Sequence, residues 1–159
     1  LNPSGGTVLY NGLPFEREYF GSAIASVMQD DCLLSGTIAE NITFFAKEPD
    51  FKKIVECARL AGVLEEVFRM PMKLNTLVGD MGMTLSGGQK QRILLARAFY
   101  ANPKVLFLDE ATSHLDVQKE REINHSIKSL GLTTIMVAHR PETIQMADRV
   151  IDLSQDRGR

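Results

Sequence analysis

The sequence predicts an α/β fold with a mainly parallel sheet flanked by helices. Three observations point there. Apolar runs that read as strands, "AIASVMQ" (Ala23–Gln29), "KVLFLDE" (Lys104–Glu110) and "TTIMVAHR" (Thr133–Arg140), alternate with stretches of helical period. The runs are unbroken, as in strands covered on both faces. Each run also leaves its strand on polar residues, at the carboxyl edge where such sheets bind ligands.

Taken in order, "TVLYNG" (Thr7–Gly12) alternates and closes on Asn-Gly, a strand-then-turn signal. Ala23–Gln29 reads as a short buried strand, with the polar "QDD" marking its exit. From about Thr37 to Phe68 the pattern is helical. Asp50, after Pro49, is a predicted N-cap, and Phe51, Ile54, Val55, Ala58 and Gly62 fall on one face. The stretch Leu74–Thr84 is punctuated by glycine and reads as a loop. A helix is predicted from about Gly88 to Ala101, stopped by Asn102-Pro103. After the Lys104–Glu110 strand, a helix from about Val117 to Leu130 carries Ile123, Ile127 and Leu130 on one stripe and ends at Gly131. The Thr133–Arg140 strand follows, then a short helix in "PETIQMAD" with Pro141 in its first turn, then "RVIDL" as a last strand.

Bulk properties narrow the function. The 159 residues suffice for one domain with a sizeable core. A net charge of −2 gives no general attraction to nucleic acid or an anionic membrane, so any anion site must be local. Cys32 and Cys57 belong to no CxxC or Cys/His cluster and read as reduced core thiols. No apolar run approaches the roughly 20 residues of a membrane span. The chain starts at Leu1 with no signal-peptide pattern and stops on "SQDRGR", so both ends are expected to be cut from something longer.

Gln29, Asp109, Glu110 and His139 all fall at carboxyl ends of predicted strands. Asp109 can hold Mg²⁺ directly or through water, and Glu110 can polarise a water for attack on a γ-phosphate. The alternative is an acidic helix cap or a solvated pair. His139 can hydrogen-bond a γ-phosphate and the attacking water, although a lone histidine is more often structural or superficial. His114 and His125 have no such context. The amide oxygen of Gln29 can reach Mg²⁺ or water; otherwise it is a surface polar group.

In "LSGGQ", Ser86 and Gln89 fit a capping box, which does not account for the glycines between them. Gly87 and Gly88 let backbone N–H groups approach an anion, the helix N-terminus adds partial positive charge, and Ser86 adds a hydroxyl donor. Together they suit a γ-phosphate clamp. In "SHLD" (Ser113–Asp116), Asp116 starts a helix with Ser113 as a candidate cap, or the segment is a loop crossing to a partner subunit.

In combination these residues resemble the nucleotide-binding domain of ABC transporters, a P-loop NTPase-like fold with a helical signature subdomain. "LSGGQKQR" looks like the family signature, "VLFLDE" its Walker B, "SHLD" its D-loop, "AHR" its H-loop and "SVMQDD" its Q-loop, in family order and over almost the whole chain. The resemblance implies ATP and Mg²⁺ as ligands. It implies that Asp109 holds Mg²⁺, Glu110 is the general base, His139 contacts the γ-phosphate and Gln29 coordinates Mg²⁺ or water. Ser86, Gly87, Gly88 and Gln89 would grip ATP on the opposite subunit, and Asp116 would act across the same dimer interface. Residues of about 30–101 would form the Q-loop, helical subdomain and signature helix, the remainder the catalytic core. The longer stretches look most like bacterial exporters of peptide bacteriocins, of the colicin V secretion type. That implies a homodimer of such domains, a transmembrane domain as partner and a place at the cytoplasmic face of the bacterial inner membrane.

One departure stands out. The chain contains no G-x-x-x-x-G-K-[ST] and no Gly-Lys pair, so the phosphate-cradling loop of the family is absent from this sequence. The C-terminal helices of the family are expected to be missing too, and the fragment itself to be inactive. Three rival readings remain. A DNA-repair or chromosome ATPase would place long coiled coils between Gln29 and Leu85, where neither heptads nor a basic stripe occur. A translation factor would need a tandem second cassette. A degenerate gene remnant would keep Asp109, Glu110 and His139 without a function.

Overall fold

The computed structural model describes residues 5–15, 21–79, 82–112 and 115–152. Strands β1 (Leu9–Tyr10) and β2 (Leu13–Pro14) pair antiparallel. Asn11 and Gly12 turn this hairpin with φ of 50° and 80°, the two positive values that favour an Asn-Gly pair. β3 (Ile24–Val27), β6 (Val105–Asp109) and β7 (Thr133–Val137) form the main sheet, parallel and in the order β3-β6-β7. A small antiparallel pair joins β4 (Gly36–Thr37) to β5 (Leu77–Val78).

Four of the six described helices start at a short polar side chain that caps them. α1 (Ile38–Thr43) begins in a capping box between Thr37 and Glu40. α2 (Phe51–Leu60) begins at Asp50, whose carboxylate accepts from the Lys53 N–H at 3.2 Å. α3 (Leu64–Arg69) follows, and α4 (Gly87–Tyr100) starts in a second capping box, between Ser86 and Gln89. α5 (Val117–Ser129) is capped by Asp116, and α6 (Pro141–Gln145) has proline in its first turn.

α4 is the central element of the core. It packs against α1, α2 and β3, with Ile93, Leu95 and Ala96 fully buried among Ile38, Ile42, Ile54, Ala58 and Val27. Because strand side chains alternate, Val27, Leu106 and Leu108 share the buried sheet face.

Several expectations change. The main sheet is not covered on both faces by the described residues: Phe107, Ile135 and Val137, on the opposite face, are 36%, 51% and 54% exposed. In β3 only Val27 is fully buried. The predicted helical stretch breaks between Thr43 and Phe51, where Phe44 and Phe45 adopt left-handed φ of 52° and 59° and so end the right-handed coil. Phe51, assigned to the apolar face of α2, is exposed, and that face is made by Ile54, Cys57 and Ala58.

The glycine-punctuated stretch after Leu74 contains β5, and its Asp80 and Met81 lie outside the described residues. Cys32 is exposed rather than a core thiol. Cys57 is buried, and desolvation pushes its thiol up to about 11, which keeps it protonated. "RVIDL" forms no strand over residues 149–152. Val150 and Ile151 are exposed there, and a strand exists only through ladder bonds to a neighbour.

Candidate functional site

Parallel register brings the three strand exits to one edge. Val27 pairs with Leu108 and Leu108 with Met136, while Asp109 pairs with Val137. Gln29, Glu110 and His139 each leave the sheet within two residues of these partners. Glu110 and His139 meet: Nε2 of His139 lies 3.2 Å from Oε1 of Glu110. Glu110 holds a left-handed φ of 51°, uncommon for a residue with a side chain. Two neighbours maintain it. Its N–H donates to the Val137 carbonyl at 3.4 Å, and its own carbonyl accepts from Nε2 of Gln91 at 3.3 Å. Asp109 is half-buried at the last position of β6.

Gln29 is exposed in a tight turn. The Met28 N–H donates to the Asp31 carboxylate at 2.8 Å and the Asp31 N–H returns to the Met28 carbonyl at 3.1 Å. The loop beyond is tied down by the buried Asn41. Its Oδ1 accepts from the Leu34 N–H at 2.9 Å and from Nη2 of Arg97 at 2.8 Å, and its Nδ2 donates to the carbonyls of Leu34 and Thr37.

Glu110 and His139 line one cleft, together with Thr112, Glu120, Arg140 and Thr143. Ser86, Gly87, Gly88 and Asp116 line a different groove, with Arg92, Leu115 and Lys119. The two share no lining residue. Sequence reasoning assigned Ser86–Gln89 and Asp116 to ATP on an opposite subunit, and within this one chain Ser86–Gly88 and Asp116 line a separate cleft from Glu110 and His139. Of the "SHLD" segment, Ser113 and His114 lie outside the described residues.

The capping box at Ser86 is fully formed. Oγ of Ser86 accepts from the Gln89 N–H at 3.2 Å, and Oε1 of Gln89 accepts from the Ser86 N–H at 3.0 Å. The Ser86 amide and the Gln89 side chain are therefore engaged with each other's residue at the mouth of the groove. Neither glycine has positive φ, so conformational freedom is not their reason. Both glycines line the groove.

Two acidic hubs escaped the sequence reading. Glu120, 3% exposed, accepts from the Thr112 hydroxyl at 3.1 Å, from Nη1 of Arg140 at 2.6 Å and from the Thr143 hydroxyl. The same Arg140 nitrogen donates to the Leu115 carbonyl at 2.9 Å, tying the segment after His139 to the start of α5. Glu66 on α3 pairs with Arg92 and Lys119. A Glu that helix periodicity assigns to a solvated face gives no signal that two later helices will converge on it.

The Arg92 guanidinium, foremost, holds the Glu66 carboxyl down to about 2 against the opposing pull of partial burial, with help from Gln89 and Lys119. A carboxylate depressed in the folded state adds stability that is fully present above the unfolded value near 4.5 and is lost as pH falls towards 2. Unfolding by urea at pH 7, 4 and 3 is expected to show that loss in the wild type and a shallower one in Glu66→Gln. Parallel pH profiles would refute it.

Among the described residues, no group of three or more His, Cys, Asp or Glu side chains gathers as a metal cage, and no helix is long and apolar enough to cross a membrane. A family model described as ABC transporter matches residues 1–113. The chain is 47% identical over 156 residues to the colicin V secretion/processing ATP-binding protein of Escherichia coli. It is 46% identical over 156 residues to the probable microcin-H47 secretion/processing ATP-binding protein of the same organism. Each alignment covers 96% of this chain and 22% of the relative, so the chain spans about a fifth of the length of these curated relatives. A solved bacterial Atm1-family ABC exporter with ATP bound matches with a TM-score of 0.83 at 33% identity, over 90% of this chain and 26% of that one.

Proposed function

This chain belongs to the ABC transporter family, and on that premise we propose that it forms most of the ATP-binding and ATP-hydrolysing domain of a bacterial exporter of bacteriocin-like peptides. The cargo class follows the relatives named for colicin V and microcin-H47 secretion. In this reading residues of about 30–101 are the Q-loop, helical subdomain and signature helix, and the remainder is catalytic core. The partners are a transmembrane domain and a second copy of the same domain, at the cytoplasmic face of the inner membrane, with no nucleic acid involved.

One observation carries the reading. Glu110 and His139 meet at the sheet edge, while Ser86–Gly88 and Asp116 line a separate groove. Two half-sites on one chain fit a catalytic site completed by a partner. Glu110 accepts the proton of a water as its oxygen attacks the γ-phosphorus, and the bond to the β-phosphate oxygen breaks. His139 faces Oε1 of Glu110 through Nε2, which leaves Oε2 for that water, and a ring carrying both protons would donate from Nδ1 to a γ-phosphate oxygen. Asp109 and Gln29 are the residues for Mg²⁺, which neutralises charge on the phosphates when it arrives with them. A magnesium ion commonly keeps several waters and takes only one or two protein carboxylates, so the single carboxylate of Asp109 at the sheet edge suits it. Ser86–Gln89 clamps the γ-phosphate bound to the other subunit.

The test is subunit complementation. Intact exporters carrying Ser86→Arg and Glu110→Gln are each inactive as homodimers. Mixed dimers pair one intact Glu110 with the partner's intact Ser86 and are expected to recover a substantial part of wild-type turnover. Isolated mixed dimers with no turnover would overturn the shared site. The 159-residue chain alone, without a G-x-x-x-x-G-K-[ST] loop, is expected to show no turnover.

A further inference from the structure

Glu66 lies outside every motif that the proposed function uses, yet two other helices, α4 and α5, converge on it. Nη1 of Arg92 donates to its Oε1 at 2.8 Å and Nη2 to its Oε2 at 2.9 Å, a bidentate pair. Nε2 of Gln89 donates to Oε2 at 3.0 Å, and Nζ of Lys119 donates to Oε1 at 3.0 Å.

These bonds reach the signature loop. A glutamine amide has one donor end and one acceptor end. With Nε2 of Gln89 committed to Glu66, its Oε1 must face the Ser86 N–H, which it binds at 3.0 Å. Arg92, buried to 2% exposure, donates through Nε to the Gly88 carbonyl at 3.0 Å. That carbonyl belongs to the peptide unit whose N–H, on Gln89, donates to Oγ of Ser86. Nη1 of Arg92 also donates to the Gly62 carbonyl at 2.7 Å, which anchors the guanidinium to the turn before α3. Lys119 brings in α5, since its own N–H donates to the carboxylate of Asp116 at 2.9 Å.

We propose that Glu66 is the positioning residue of the Ser86–Gln89 loop: by holding Gln89, Arg92 and Lys119 together, it presents the loop, already shaped, beside the start of α5. Without it the Gln89 amide is free to turn, the Ser86 cap loosens and Arg92 loses its main partner. The loop must then be ordered at the expense of nucleotide binding, and preorganisation of this kind is read as affinity. Chemistry at Glu110 and His139, in the other cleft, does not depend on it. The inference rests on the reading of Ser86–Gln89 as a phosphate clamp.

The experiment is steady-state ATP hydrolysis by the intact exporter carrying this chain, with Glu66→Gln, Lys119→Met and Ser86→Arg compared. Glu66→Gln is expected to raise KM for ATP about tenfold with kcat within about twofold, as loss of loop order costs binding more than chemistry. Lys119→Met removes one of the donors to Glu66 and is expected to raise KM about threefold, which keeps the inference testable if Glu66→Gln fails to fold. A merely structural Glu66 would lower kcat with the amount of folded protein and leave KM unchanged; that result in either variant overturns the inference. Full turnover by Ser86→Arg would instead overturn the clamp itself, so the two failures are told apart.

Discussion

Glu110→Gln in the intact exporter is expected to lower the turnover of ATP by about 10²–10⁴-fold, the usual contribution of a positioned general base. Glutamine keeps the size of the side chain and can still meet Nε2 of His139, which lies 3.2 Å from the carboxylate. It cannot take up a proton from water. The backbone at position 110 would keep its left-handed turn, because that turn is held by Val137 and Gln91 through main-chain atoms. Binding should therefore survive the loss of chemistry, and ATP should accumulate on the protein. Hydrolysis measured with labelled ATP, beside equilibrium ATP binding, checks both halves. Turnover within tenfold of the wild type would remove Glu110 from the role of base.

Arg92→Met is expected to be the most destabilising single change among the site residues, by about 3–5 kcal/mol, the range for breaking a buried ion pair from one side. Methionine fills much of the space but strips the Glu66 carboxylate of its bidentate partner, leaving it only Gln89 and Lys119, and removes the guanidinium donors from the carbonyls of Gly62 and Gly88. At a slope of about 2 kcal/mol per molar urea, the unfolding midpoint should fall by about 2 M. A shift below about 0.3 M would mean that water or Lys119 replaces Arg92 at little cost.

The sequence exposed what local rules control. Asn11-Gly12 made its turn, and Asp50 and Ser86 capped their helices, because each outcome depends on residues at most three positions apart; at α5 the cap is Asp116 itself and not Ser113, one residue before the helix expected at Val117. The edge residues Gln29, Asp109, Glu110 and His139 were legible for a related reason: a parallel sheet aligns its strand exits, whichever helices cover it. What stayed hidden needed distant segments to meet. The partners of Glu66 lie 23, 26 and 53 positions away, and those of Glu120 at Arg140 and Thr143 are 20 and 23 positions away. Phe44 and Phe45 misled for a different reason. Aromatic residues fit a helical pattern, but their left-handed backbone is dictated by the fold around them.

The anchoring of Leu34 by Asn41 and Arg97 has a mechanical meaning. Arg97 stands near the end of α4 whose opposite end is Ser86, and eleven residues of helix separate them by about 16 Å. A continuous α-helix transmits axial and rotational displacement as a stiff rod. The loop after Gln29 and the loop at Ser86 are therefore the two tips of one lever, with its fulcrum in the buried middle at Ile93–Ala96. Tilting one tip obliges the other to swing.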